Sequence, residues 1–177
     1  MSQEQEELQV VAAEAQSRLG GANPDFNDLI AKALKNNVKI TTEEVMRIWQ
    51  ISTSRNIPGL THEILWIEQG TDRAGYKHML KHKADFEKVG VSEDKLAEVA
   101  EAATTVGKPG GMQGNKSPGR PILGLFFHKK PLAVAISVGS NGFVVGMNPS
   151  NFDNFLEKAG IDQNEVEELH SWPIPSV

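Results

Sequence analysis

Residues 122–147 read ILGLFFHKKPLAVAISVGSNGFVVGM, and this stretch decides the fold. Alternate residues from Leu132 to Val138 are large and apolar, so they would share one face of a strand, with small residues on the other. A Lys-Lys-Pro connection precedes this run, and Asn141-Gly142, a dipeptide favoured in hairpin turns, follows it. The stretch therefore predicts an antiparallel meander of three strands, at 122–127, 132–138 and 143–147.

Helical patterns precede the meander. The clearest runs from Asp72 to Val89, and another runs from Ser92 to Thr105. Residues 107–119 then read GKPGGMQGNKSPG, which has no apolar periodicity and predicts a long loop. Helices followed by an antiparallel meander indicate an α+β protein.

The first 58 residues predict only helices. Two of these cover residues 1–19 and Asp25–Lys35, and a third extends from a Thr41 or Thr42 cap to about Ser54. Because Asn56-Ile-Pro-Gly59 breaks the pattern, we expect a small all-helical domain at 1–58 and a second domain at 59–177. At the start of that second domain, residues 63–67 predict either a short strand or the lead-in to the next helix.

Composition limits the class of protein. Hydrophobic residues make up 39% and charged residues 23%, as in ordinary globular proteins. The sequence predicts neither a membrane span nor a signal peptide, and without cysteine it can form no disulfide or thiolate metal site. The net charge is -5, yet Ala102–Phe152 contains no Asp or Glu and five Lys or Arg, so this segment is +5 and the remainder -10. A basic block in an acidic chain predicts a surface that meets a polyanion.

Residues 75–86, GYKHMLKHKADF, predict a helix that carries two histidines four residues apart. On such a helix His78, His82 and Asp85 form a stripe between an apolar side and a lysine-rich side. Imidazoles at this boundary suit general acid and base catalysis near neutral pH, and Asp85 could fix one tautomer. Two alternatives stay open: hydrogen bonding to nearby backbone alone, and a zinc pair, although the Glu of His-Glu-x-x-His is missing.

Cations beside the predicted loop are candidates for phosphate contacts. Arg120 follows the Gly-rich residues and could hold a phosphate or stabilise a pentacovalent transition state; the alternative is an exposed arginine at a strand start. Lys108 and Lys116 are candidate RNA contacts that could equally serve solubility. The glycines do not match the phosphate-binding loop GxxxxGK[ST], so no nucleotide-binding motif is predicted.

Three polar residues at the end of the second strand complete the candidate site. Ser137, Ser140 and Asn141 offer hydroxyl and amide groups that could orient a phosphate oxygen or a ribose. The alternative is that they serve only the turn.

Four segments carry a family resemblance in their order and spacing: WIEQG at 66–70, GYKHMLKHKADF at 75–86, GRPI at 119–122 and VGSNGFVVGMNP at 138–149. Together they resemble the C-terminal nuclease domains of bacterial polymorphic toxins, the phage-type domains of the barnase/EndoU/colicin/RelE (BECR) fold. The resemblance covers about residues 60–150. Residues 1–58 fall outside it, in the position where delivered toxins of this kind often carry an entry domain.

The resemblance implies a ribonuclease that needs no metal or other cofactor and has a helical part on a twisted antiparallel sheet. Its substrate is expected to be RNA, with tRNA a common target, cleaved by attack of the ribose 2′-hydroxyl to leave a 2′,3′-cyclic phosphate. His78 and His82 would be the acid and base, Arg120 the phosphate cation, and Ser140 or Ser137 a positioning hydroxyl.

The resemblance also implies a role in interbacterial competition, including contact-dependent growth inhibition. The toxin would be delivered by the producing bacterium, act in the cytoplasm of the target cell and be neutralised by a cognate immunity protein. Two other functions compete with this one. The first is a non-catalytic nucleic-acid-binding or phage-associated adaptor module that uses the basic loop. The second is a metal hydrolase built on His78 and His82.

Overall fold

The computed structural model describes residues 26–52, 55, 57–114 and 119–175. Its helices are α1 (Phe26–Lys35), α2 (Tyr76–Met79), α3 (Lys83–Lys88), α4 (Leu96–Val106) and α5 (Phe152–Ala159). Its strands are β1 (Val45–Gln50), β2 (Ile64–Glu68), β3 (Lys108–Gln113), β4 (Arg120–Phe127), β5 (Lys130–Val138), β6 (Val144–Ser150) and β7 (Ser171–Trp172). Short 3-10 helices occupy Thr42–Glu44, Leu80–His82, Glu93–Lys95 and Gln163–Glu168.

The predicted meander forms the centre of a five-stranded sheet. Strands β3, β4, β5 and β6 lie in that order, each antiparallel to the next, and β7 pairs parallel with the end of β4. His128 and Lys129, in the turn between β4 and β5, have φ of 46° and 70°, the left-handed geometry of a tight hairpin. The prediction of an α+β fold with helices on an antiparallel sheet is therefore confirmed.

The sheet has two different faces. Large residues such as Leu123 and Val134 point toward α3 and α4 and fill the largest core. The opposite face carries smaller residues, including Ala135, and packs against α5. Phe155 of α5 lies so close to Gly124 that an added Cβ would stand 2.2 Å from its ring. The missing side chain at Gly124 therefore lets α5 approach the sheet.

The helix predicted from Thr41 or Thr42 to Ser54 is wrong, because Val45–Gln50 is strand β1. This strand pairs antiparallel with β2, with Ile48 opposite Trp66. Ile48 enters the core beneath α1 while its neighbour Trp49 enters the main core, so both faces are buried, which suits β-branched and aromatic residues. The Thr-Thr-Glu-Glu signal closes only one 3-10 turn, and Thr41 makes no capping hydrogen bond with its side chain.

The N-terminal region differs in part from the prediction. Helix α1 confirms the predicted helix from Phe26 to Lys35, and β2 confirms the strand reading of residues 63–67. The β1–β2 pair spans the predicted boundary at residue 58, and β1 means that the part of 1–58 described is not helical throughout. Residues 1–25, with the first predicted helix, lie outside the described residues, so the division into domains stays a prediction.

Two further elements differ from their predictions. The histidine helix begins at Tyr76 rather than Asp72, because Gly75 has a φ of 95° and donates its N–H to the Val145 carbonyl at 2.9 Å. The helix is also interrupted by the 3-10 turn Leu80–His82. The predicted loop at 107–119 contains strand β3. Its proline and glycines are tolerated because β3 is an edge strand with a bulge between Pro109 and Met112.

Candidate functional site

Strand register brings predicted site residues together on the α5 side of the sheet. Cross-strand partners share a face, so Arg120 and Ser137, each two residues from the Ile122–Ala135 pair, lie on the same face as that pair. Ile122 and Ala135 are buried, whereas Arg120 and Ser137 are only half-buried. Two more half-buried residues join them: Gln113 pairs with Arg120, and Asn148 pairs with Ala135. We call Gln113, Arg120, Ser137 and Asn148 the polar face.

Three of these side chains form a hydrogen-bonded relay across the sheet. Arg120 Nη1 donates to Asn148 Oδ1 at 3.1 Å. Asn148 Nδ2 donates to Gln113 Oε1 at 3.3 Å and to the Pro149 carbonyl at 3.2 Å. The relay crosses β5, whose side chains on this face, Ala135 and Ser137, are small enough to leave room for it. Arg120 is therefore held over the sheet and is not a loose surface cation.

His78 reaches the same region from α2. Gly146, the cross-strand partner of Ser137, has no side chain, and an added Cβ there would lie 2.7 Å from His78 Cδ2 and 3.1 Å from Nε2. The imidazole thus lies where a side chain at position 146 would stand. Since neighbouring strands are about 4.8 Å apart, the backbones of Arg120 and Gly146, two strands apart, are separated by about 10 Å.

The hydrogen bonding of His78 selects its tautomer. Its Nδ1 lies 2.8 Å from the Asp72 carbonyl oxygen, which can only accept, so Nδ1 carries the proton. In the neutral ring Nε2 therefore has the free lone pair, and this nitrogen is the one beside Gly146. This arrangement is the one that a general base requires.

His82 lies beside His78 on the 3-10 turn. The two ring centroids are 6.4 Å apart and the ring planes are nearly perpendicular, at 88°. His82 Nδ1 is 3.7 Å from Asp85 Oδ2, within ion-pair distance, and its side chain is 34% exposed. The predicted stripe of His78, His82 and Asp85 is thus present, although the helix beneath it is interrupted.

Two other predicted residues, Ser140 and Asn141, lie beyond the polar face. Ser140 and Asn141 occupy the β5–β6 turn, where the Ser140 carbonyl accepts from Thr61 N at 3.0 Å and Asn141 Oδ1 accepts from Phe143 N at 3.1 Å. Ser140 is three residues beyond Ser137, about 10 Å further along the chain. The Asn141 side chain thus takes part in the turn, whereas Ser140 does so through its backbone, and the role of the Ser140 hydroxyl stays a prediction.

Of the two predicted lysines, the structure describes one, and it lies away from the polar face. Lys108 is exposed at the start of β3, opposite Gly124 and about 16 Å along the strand from Gln113. Lys116 lies outside the described residues.

Sequence reasoning missed Gln113, Asn148 and Gly146. Gln113 fell in the predicted loop, and Asn148 read as the residue that ends a strand before proline. The signal that could have found Asn148 is its position in register: a polar residue opposite Ala135, on a face that is otherwise small and apolar. Gly146 carries no signal of its own until His78 is placed against it.

A cluster of charged and polar side chains lies at the other end of β4, away from the polar face. Glu98 Oε2 accepts from Trp172 Nε1 at 3.0 Å and lies 2.6 Å from His128 Nε2, and Glu98 Oε1 is 3.7 Å from Lys95 Nζ. Burial acts to raise the pKa of Glu98, but the hydrogen bonds from His128 and Trp172 outweigh it, so the pKa lies below its ordinary value. Because these groups satisfy one another, we assign the cluster to holding β7 against α4.

Metal ligands and membrane segments can be assessed only within the residues that the structure describes. There, no three His, Asp or Glu side chains come together as ligands for a metal ion. Beside His78 and His82 the structure shows one carboxylate, Asp85, within ion-pair distance of His82. Within the same residues, no helix is both long and apolar enough to cross a membrane.

Comparison with known proteins leaves the family open. No protein-family model matches the chain, and no curated protein matches it either.

Proposed function

We propose that this protein is a metal-independent endoribonuclease of the toxin type, with tRNA as the expected substrate. The observation that carries the proposal is the His78 imidazole seated against Gly146, with a free Nε2, on the sheet face that also holds Arg120. The backbones of Arg120 and of Gly146, the residue against which His78 packs, are about 10 Å apart across two strands, a span in which one phosphodiester could lie. The segments that resemble polymorphic-toxin nucleases include the same residues.

The chemistry follows from the two histidines and the arginine. His78 Nε2 accepts the proton of a ribose 2′-hydroxyl, and the 2′-oxygen attacks the adjacent phosphorus. Arg120 stabilises the additional negative charge on the non-bridging oxygens of the pentacovalent transition state. The bond from phosphorus to the 5′-oxygen then breaks, and protonated His82 supplies a proton to that oxygen. The products are a 2′,3′-cyclic phosphate and a free 5′-hydroxyl.

Neighbouring groups support the division of roles between the histidines. The Asp72 carbonyl commits Nδ1 of His78 to donating, which leaves Nε2 as the base. Asp85 lies beside Nδ1 of His82, so Nε2 of His82 is the nitrogen free to deliver a proton. Ser137, between Arg120 and Gly146 in register, takes the role of positioning hydroxyl in preference to Ser140.

The wider biological role rests on the resemblance alone. The proposed protein is delivered by a producing bacterium, acts in the cytoplasm of a competitor and is neutralised by a cognate immunity protein. Growth arrest on expression, relieved by His78→Ala, is the expected result. The product of a neighbouring gene that binds the chain and restores growth would identify the immunity protein.

The direct test is cleavage of total tRNA by the purified protein in the presence of a chelator. We expect products that end in 2′,3′-cyclic phosphate, and a loss of about 10²- to 10⁴-fold in kcat/KM for His78→Ala or His82→Ala. The exposed His170 provides a matched control, because its alanine variant should cleave normally. Intact tRNA together with salt-sensitive RNA binding would instead support the non-catalytic binding module, and cleavage that requires added metal would support the metal hydrolase.

A further inference from the structure

The relay of Arg120, Asn148 and Gln113 has a fixed polarity. Arginine can only donate, so the Asn148 atom that faces it must be the oxygen, Oδ1. The Asn148 amide nitrogen then faces Gln113, whose own contacting atom must be its oxygen, Oε1. One donor-only residue thus sets the orientation of both amides.

The same polarity decides what the relay can bind. Asn148 donates both of its Nδ2 hydrogens, one to Gln113 and one to the Pro149 carbonyl. Among the described residues, Gln113 Oε1 is turned toward Asn148 and accepts from it, and the donors of Gln113 and Arg120 left for a ligand are the Gln113 amide N–H groups and the remaining guanidinium N–H groups. Both of these are donors, so the site suits a ligand that offers only acceptors.

The two donors also lie close together. Gln113 and Arg120 are direct cross-strand partners in the β3–β4 ladder, and such partners have Cβ atoms about 5 Å apart. Two oxygens of one phosphate group can be bound from side chains that start this close.

We infer that Gln113 and Arg120 together bind the non-bridging oxygens of one phosphate, and that Asn148 is the positioning residue that turns both donors toward it. The inference deepens the proposed function, because it assigns the phosphate-binding residues of the same site, and it rests on that function. It gives Gln113 and Asn148 roles that are distinct from proton transfer. It also specifies the ligand chemistry: an oxyanion within a nucleic-acid chain.

The substitution Asn148→Asp tests the polarity of the relay. A carboxylate at 148 still accepts from Arg120 but neutralises its charge. It also presents a second acceptor to Gln113, which must turn its amide so that Nε2 donates to Asp and Oε1 faces the ligand. Both changes weaken the binding of an anion at this site. Asn148→Ala, in contrast, removes the orientation and leaves the charge of Arg120 in place.

The measurement is binding of a short 2′-O-methyl oligonucleotide without terminal phosphates, which offers phosphodiesters but no nucleophilic 2′-hydroxyl. For Asn148→Asp we expect binding weakened about tenfold at low salt, and a plot of log K against log salt shallower by about 0.7, the contribution of one phosphate contact to a single strand. Asn148→Ala should retain the slope and lose cleavage rate. Gln113→Glu should weaken binding as Asn148→Asp does.

Asn151→Asp is the matched control. It makes the same change of charge three residues away, and aspartate replaces asparagine as an N-cap at little cost. It should leave the slope and the affinity unchanged. Inorganic phosphate, added as a competitor, should displace the oligonucleotide from the natural protein more readily than from Gln113→Glu.

The outcomes separate this inference from the proposed function. If Asn148→Asp and Asn151→Asp give the same slope in folded protein, the relay does not bind phosphate, even if the protein cleaves RNA. If the slope falls as expected but tRNA stays intact, the phosphate site stands and the ribonuclease does not. Thermal unfolding of each variant shows whether the fold is retained.

Discussion

The substitution Gly146→Ala gives the sharpest test of the base assigned here. The new Cβ would lie 2.7 Å from His78 Cδ2 and 3.1 Å from Nε2, whereas carbon atoms in contact are about 3.5–4.0 Å apart. The ring must therefore move by about 1 Å, which also strains its 2.8 Å hydrogen bond to the Asp72 carbonyl. The φ angle of Gly146 is not in the left-handed region, so alanine itself fits the backbone.

The size of the expected effect follows from this displacement. A misplacement of about 1 Å in a catalytic group can cost about 10²-fold in rate. We expect Gly146→Ala to lower kcat/KM for tRNA by about that factor. The fold should lose only about 1 kcal/mol, because overpacking is partly offset by the smaller backbone entropy that alanine, compared with glycine, loses on folding.

A double-mutant cycle shows whether the loss acts through His78. In a His78→Ala background the room beside residue 146 is empty, so adding Gly146→Ala should cost no further activity. The assay is single-turnover cleavage of tRNA in chelator, with thermal unfolding as the check on folding. Full activity of folded Gly146→Ala, or the same loss in both backgrounds, would refute the placement of His78 as the base.

Three further predictions concern stability and are read by urea denaturation. Glu98→Gln should lower the free energy of unfolding by about 2 kcal/mol at neutral pH, because a hydrogen-bonded carboxylate is lost. The pKa of Glu98 is lowered in the fold, so its contribution to stability is present above the unfolded pKa and is lost as pH falls through the folded pKa. The variant and the natural protein should therefore be equally stable in acid. Burial raises the pKa of Glu68, so the stability of the fold decreases as pH rises from the unfolded to the folded pKa of this group. Glu68→Gln keeps an acceptor for the Thr41 N–H and should be about 1 kcal/mol more stable at neutral pH, with a weaker dependence of stability on pH. Asn151→Ala removes the side-chain cap of α5, whose bond to Asn154 N is 2.9 Å, and should cost about 1 kcal/mol, whereas Asn151→Asp should not. Equal pH profiles for natural and Glu98→Gln protein, or a less stable Glu68→Gln, would contradict these accounts.

The parts of the fold that could be predicted are those whose two faces carry side chains of different size. Strand β5 alternates large and small apolar residues because one side meets the main core and the other meets α5, so its period is visible in the sequence. Strand β1 is buried on both sides, by α1 and by the main core, and shows no such alternation. A good capping pattern therefore outweighed it and predicted a helix. Strand β3 could not be recognised for another reason. Its Pro and Gly residues are compatible with a strand only because β3 lies at the edge of the sheet, paired with β4.

The candidate site divides in the same way. His78 and His82 could be paired from sequence because an i, i+4 spacing is local. Arg120 and Ser137 could be named singly, but their common face depends on the β4–β5 register. Asn148 and Gln113 could be found only after β3 and β6 are placed on either side of the central strands, because their roles depend on that register.

The structure also changes the meaning of the basic segment. Arg120 begins β4 and Lys130 lies opposite Phe127 at its far end, about 23 Å along the strand, which is nearly three times the Debye length of about 8 Å at physiological salt. Lys108 lies opposite Gly124, in the middle of that strand. The four cations of this segment that the structure describes therefore do not act as one surface. In a chain with a net charge of -5, long-range attraction of a polyanion is weak, so the proposed recognition of RNA would have to come from a few oriented groups. The relay through Asn148 supplies such orientation for Arg120, and this is why a neutral amide at position 148 should matter more to RNA binding than Lys129 or Lys130 in the hairpin turn.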